Sequence, residues 1–211
     1  MPPSYSQSQN EFRFPHNMKP EGLNNVYRFG RHILPVFQPY MINIQDVEPD
    51  GKCGFRSVAV GLVFDENHWA FIRQKLLQEF DFNAHLYKYV FNFYDPGSYD
   101  VLRDTINWQQ IAPAPAEHWM FMPHTGLVIA QRFGVIVHLF SNRGAQTIFP
   151  LWISANSLVR HNAVSIVRLG VHFINVTLQG YYPMPMAKAF AKIVTNHLRL
   201  LGTRLLDWQH T

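Results

Sequence analysis

Cys53 is the only cysteine of the chain, and it stands in the run Asp50-Gly-Lys-Cys-Gly-Phe-Arg-Ser57. A thiol attacks as the thiolate, so the question is what surrounds it. Phe55, Val58, Ala59 and Leu62 follow at i, i+3, i+4 and i+7, the spacing of a buried helix face. The stretch before Cys53 carries Asp, Glu, Pro and Gly, which is loop chemistry. The sulfur therefore belongs at or near a helix N-terminus, where partial positive charge stabilises a thiolate. Unpaired amides of Gly51, Lys52 and Cys53 can donate there to a developing oxyanion. Gly51 has no side chain to hold a substrate backbone away. The same residues also suit an inert buried cysteine, a common fate of this residue type. Spacing alone leaves both readings open.

The elements that must position Cys53 follow from pattern. In 211 residues, 47% are hydrophobic and 15% charged, which predicts one globular domain with a sizeable core. Residues 1–25, rich in Pro, Ser, Gln and Asn, read as a flexible tail. Residues 26–45 read as an arm packed on the domain through Phe29, Ile33 and Phe37. Residues 46–186 form the expected core. Residues 187–211 read as a C-terminal helix with Phe190, Val194, Leu198, Leu201 and Leu205 on one face. Within the core, a second helix is expected over 66–80 and a short one over 125–133. Strands are expected at 135–140, 165–169 and 171–178, where β-branched residues concentrate. Asp95-Pro-Gly97 marks a turn. Helices followed by strands give an α+β fold, a small mixed or antiparallel sheet flanked by helices.

Several functions are disfavoured. The net charge is +4 with no block of five or six Lys/Arg, so no nucleic-acid partner is expected. One cysteine excludes a disulfide framework and a multi-cysteine zinc site, and fits a reducing compartment. No His-Glu-x-x-His occurs, so neither metal nor cofactor is expected. The chain shows no signal peptide and no apolar run near 18 residues, so cytoplasm or nucleus is the expected location and no membrane partner is expected.

The run Asp50-Gly-x-Cys53-x-Phe-Arg-Ser57 resembles the nucleophile motif of the ovarian-tumour (OTU) cysteine proteases. Val171-His172-Phe173 resembles their His-aromatic step on a strand. Asn175-Val-Thr-Leu-Gln-Gly180 and Pro183-Met-Pro185 resemble the stretch after that His in OTU domains of fungi and plants. A weaker likeness covers residues 119–140. The resemblance implies a papain-like OTU fold and a cysteine-type deubiquitinase. Its partner would be ubiquitin, polyubiquitin or a ubiquitin-like modifier. It implies Cys53 as nucleophile, His172 as base, and backbone amides from Asp50 through Gly51 and Lys52 to Cys53 as the oxyanion site.

A base needs a group that orients its ring. Many OTU enzymes carry Asp or Asn two residues after the His; here that position is Ile174. Asn175 is one residue further, and alternation along a strand points it away from His172. Asp50, in the Cys loop, is the preferred candidate, with a turn or cap role as its alternative. An Arg-rich Gly-Gly tail such as ubiquitin's calls for acidic and narrow surroundings. Glu117, Trp119 and Phe173 are the expected contacts, with Asp65 and Glu66 as further acidic candidates. The missing acid at Ile174 keeps a rival open: an OTU-fold ubiquitin-binding module with little or no activity.

Overall fold

A computed structural model describes residues 25, 28–93, 95–151 and 162–187. In chain order its elements are β1 (Met41–Gln45), α1 (Cys53–Gly61), α2 (Trp69–Phe82), α3 (Ala84–Asn92), α4 (Ser98–Ile106), α5 (His124–Phe133), β2 (Ile136–Ser141), β3 (Gly144–Ile148), β4 (Ala163–Leu169), β5 (His172–Leu178) and β6 (Met186–Ala187). The fold is α+β. Strands β1, β3 and β6 and helices α3 and α4 go beyond the expected elements. The expected tail at 1–25 and C-terminal helix at 187–211 lie outside the described residues, apart from residues 25 and 187. Among the described residues, no helix is long and apolar enough to cross a membrane.

The strands form one mixed sheet in the order β1-β5-β4-β2-β3-β6. Strand β5 runs antiparallel to both β1 and β4, whereas β4 and β2 are parallel. Alternation along β5 separates two cores. Phe173 faces the helices and joins Cys53, Phe55, Val58, Ile72, Leu76 and Leu127. Ile174 and Val176 face the other way and pack with Phe29, Ile33, Phe37, Met41 and Ile44. Each fully buried side chain of this size contributes about 1.5–3 kcal/mol against exposure.

Helix α1 lies against the sheet through its last residue. A Cβ on Gly61 would sit 2.7 Å from Val164 Cγ1 and 2.9 Å from Asn175 Nδ2. The start of α1 is fixed by charge. Arg56, buried at 4% exposure, donates from Nη2 to Asp50 Oδ2 at 2.7 Å and to Glu48 Oε2 at 2.8 Å. Its Nη1 donates to Asn67 Oδ1 at 3.1 Å and lies 3.6 Å from Glu66 Oε2. Buried Lys52 adds an ion pair to Asp50 Oδ2 at 3.1 Å, and its Nζ donates to Ile111 O at 2.7 Å. Asp50 thus gathers both cations and folds the loop from β1 into α1.

Burial works to raise the Asp50 carboxyl, but hydrogen bonds from Arg56 and Lys52 outweigh it and hold it below its ordinary 3.8. A lowered acid contributes stability above its unfolded value and loses it as pH falls through the folded value. Asp50→Ala leaves two buried cations without their shared carboxylate, and should cost about 3 kcal/mol in urea unfolding at pH 7. That difference should shrink as the pH is lowered below about 4. Gly61→Ala should cost about 1–3 kcal/mol in the same assay, because the helix must move off β4.

Candidate active site

Strand pairing brings two distant side chains together, and helix α1, packed against β5, brings Cys53. Strand β1 pairs with β5 in the register Gln45↔Asn175 and Ile44↔Val176, so Asp46 leaves β1 beside the start of β5. His172 is the first residue of β5. Its Nε2 donates to Asp46 Oδ1 at 2.8 Å. Asp46 Oδ1 also accepts from the Val47 amide at 3.0 Å, which holds the carboxylate to its loop. Buried Val47 anchors that loop in the helix-side core.

With Nε2 engaged by Asp46, the other ring nitrogen is left for Cys53. The Cys53 thiol is the largest influence on His172 and raises it; burial lowers it, and Asp46 raises it again, leaving the imidazole at about 9. His172 Nδ1 is buried and closes no hydrogen bond of good geometry. The sulfur is thus a neighbour of the ring and not a well-aligned hydrogen-bond partner. Asp46 fixes the tautomer: with Nε2–H donated, Nδ1 is the lone pair of a neutral ring, or the second N–H of a charged one.

The expected orienting groups lie elsewhere. Asp50 is bound by Arg56 and Lys52 and accepts from the Lys52 amide at 3.0 Å, so it shapes the loop; the carboxylate on His172 is Asp46. Asn175 is buried on the helix side of β5, and its Nδ2 donates to Ser57 O at 3.3 Å and Ser165 O at 3.2 Å. It ties α1 to the sheet, as strand alternation requires. Nothing local in the sequence marked Asp46. Its signal is its place one residue past β1, a strand that pairs with the His172 strand.

Among the expected oxyanion amides, that of Lys52 is taken by Asp50 Oδ1. Cys53 opens α1 with no side-chain cap on the helix. Gly51 has φ +78°, the left-handed region that favours glycine. A side chain there would fall on the Ala114 carbonyl oxygen and 2.7 Å from Trp119 Nε1. The protein's own 112–122 loop thus makes the close approach to Gly51. That loop is fastened by Ala114 N–H to Asp50 O at 2.9 Å and by Trp119 Nε1–H to Ala114 O at 2.9 Å. Met120 of the same loop covers Gly54. Cys53, the residue before Gly54, is 6% exposed.

Of the expected substrate contacts, Trp119 is partly exposed at the Gly51 loop. Glu117 is exposed two residues earlier, in the turn Ala116–His118. Phe173 is a core residue at 5% exposure, because its strand position turns it under α1, and it has little surface to offer a partner. Asp65 caps a short turn by accepting from Asn67 N at 2.8 Å, and Glu66 accepts from Glu48 N at 3.0 Å. Both hold local structure. Among the described residues, no group of three or more His, Cys, Asp or Glu is arranged to hold a metal ion.

No protein-family model and no curated protein sequence matches this chain. Among solved structures it is similar to the viral OTU domain protease of Dera Ghazi Khan virus, at 14% identity over 68% of this chain and 85% of that one, with a TM-score of 0.48. It is also similar to the viral OTU domain protease of Farallon virus, at 17% identity over 68% and 88%, TM-score 0.47. A third is the Hazara virus OTU bound to ubiquitin, at 16% identity over 69% and 86%, TM-score 0.47. At these identities the likeness is one of fold alone.

Proposed function

We propose that this protein is a cysteine-type deubiquitinase that hydrolyses isopeptide or peptide bonds at the C-terminus of ubiquitin or a ubiquitin-like modifier. The observation that carries the reading is His172, bonded through Nε2 to Asp46 and influenced most strongly by Cys53. A nucleophile, a base and an acid that orients the base form the unit acyl transfer needs. The substrate class comes from the resemblance of the Cys53 and His172 motifs to OTU enzymes.

The steps follow from these positions. The thiol proton rests on His172 Nδ1 before substrate binds, leaving an imidazolium beside the sulfur, and Sγ attacks the carbonyl carbon. The oxyanion that forms is held by amides at the start of α1, the Cys53 amide among them. Collapse of the intermediate breaks the C–N bond, and His172 gives its proton to the leaving lysine amine. Water then attacks the thioester with His172 as base, releasing the ubiquitin carboxylate and the free thiol. The rival reading, a module that binds without cutting, drew on the missing acid at Ile174. Asp46, one residue past β1, puts a carboxylate on the ring, which supports the enzyme reading over that rival.

A panel of di-ubiquitins, with a ubiquitin carrying a C-terminal electrophile, tests the proposal. The wild type should cut at least one linkage and be captured covalently, and Cys53→Ala should do neither. Binding of the probe by the wild type without covalent capture would establish the module instead. The pH profile tests the role of Asp46. His172 carries its proton below about 9. Above that, the sulfur lacks its imidazolium and the leaving amine lacks its acid, so kcat/KM on fluorogenic ubiquitin should fall on an alkaline limb near pH 9. Asp46 raises the imidazole, so Asp46→Asn should move this limb toward neutral pH and lower kcat/KM by about tenfold or more.

A further inference from the structure

On the side of β5 away from Asp46, the sheet carries a separate cleft of ≈ 390 Å³ whose lining includes Met122, Ser141, Arg143, Gln146 and Arg168. Its place follows from register. Leu169 of β4 pairs with His172, and Arg168 pairs with Phe173, so Arg168 is one strand away from the His172 end of β5. Strand β2 runs parallel to β4 with Phe140 beside Val167, and the turn after β2 brings Arg143 to the same end of the sheet.

The cleft is built for an anion. Arg168 Nε donates to Gly170 O at 2.8 Å, which fixes the guanidinium. Among the described residues, Arg143 and Arg168 form no ion pair, and no Asp or Glu lines the cleft. Gln146 Oε1 is buried there and has no hydrogen-bond partner among the described residues. Turning that amide over would present its N–H donors in the same place. Guanidinium groups match the planar, two-oxygen geometry of carboxylates.

The proposed reaction gives the cleft a direction. His172 must reach the leaving amine, while the oxyanion lies at the start of α1. The acceptor protein therefore departs on the His172 side of Cys53. Ubiquitin's own tail is arginine-bearing and would be repelled by two more arginines, so the cleft suits the other partner of the bond. We propose that Arg143 and Arg168 receive carboxylate side chains flanking the modified lysine of the acceptor, and so favour lysines in acidic surroundings. This proposal rests on the hydrolase reading above.

The test uses ubiquitin joined through an isopeptide bond to a lysine peptide flanked by Glu, or by Gln in the matched control. Wild type should prefer the Glu peptide by about tenfold in kcat/KM, less at high salt. In the Arg143→Gln, Arg168→Gln double variant that ratio should fall to near one. A ratio near one in the wild type, or an unchanged ratio in the double variant, would overturn the acceptor proposal. Fluorogenic ubiquitin, which has no protein acceptor, is run beside them on the wild type. Turnover there with no Glu preference sinks the cleft proposal alone; no turnover of any substrate sinks the hydrolase reading and the cleft proposal with it.

Discussion

The ion pair between Asp50 and Arg56 is the constraint on which the rest of the site depends. Both side chains are largely removed from water, with Asp50 at 9% and Arg56 at 5% side-chain exposure. Burying two charges is unfavourable unless the geometry is close and the remaining hydrogen-bond capacity is filled. Here it is filled. Asp50 accepts from Arg56 Nε, Arg56 Nη2 and the Lys52 amide, and its Oδ2 pairs with Lys52 Nζ. Arg56 sits one turn into α1 and Asp50 stands before it, so their contact sets where the helix begins. That beginning is Cys53.

The loop stabilised by this pair carries both ends of the site. Asp46 leaves β1 at one end, and Cys53 enters α1 at the other. His172 arrives from β5 between them. Lys52 extends the arrangement outward: its Nζ lies over Trp69, 4.3 Å from the ring centroid, and reaches Ile111 O. Arg73, fully buried, donates to the carbonyls of Thr105 and His118 and lies 3.9 Å over the Phe55 ring. Buried cations thus fasten the 105–119 segment to the start of α1 and to Phe55 on it. Trp119 and Met120, which cover the Cys53 loop, are held by the same segment.

Much of this was legible locally. The helical spacing after Cys53 appears as α1, with Phe55, Val58 and Ala59 buried. The apolar runs that predict strands appear as β2, β4 and β5. Local pattern does not carry pairing across long separations. Strand β1 is five residues long and meets β5 more than a hundred residues later, so the sequence around Asp46 looks like ordinary loop. Asp50 stands in the Cys53 motif, and the motif's own Arg56 is its partner. The alternative role open to Asp50, that of a turn residue, is the one its contacts describe. Strand alternation did separate Asn175 from His172, because that rule depends only on the local backbone. Helices α3 and α4 bury their aromatic residues Tyr87, Phe91 and Tyr99 on Phe80, a stack of rings visible only once the helices meet.

The central claim is that Cys53, His172 and Asp46 act as one unit, with Asp46 working through His172. A double-mutant cycle on kcat/KM tests this most directly, using His172→Ala, Asp46→Asn and the pair of changes together. If Asp46 acts only by orienting and charging the ring, the double variant should be no slower than His172→Ala alone. Losses that simply add would show that Asp46 contributes independently of His172, and would contradict the account.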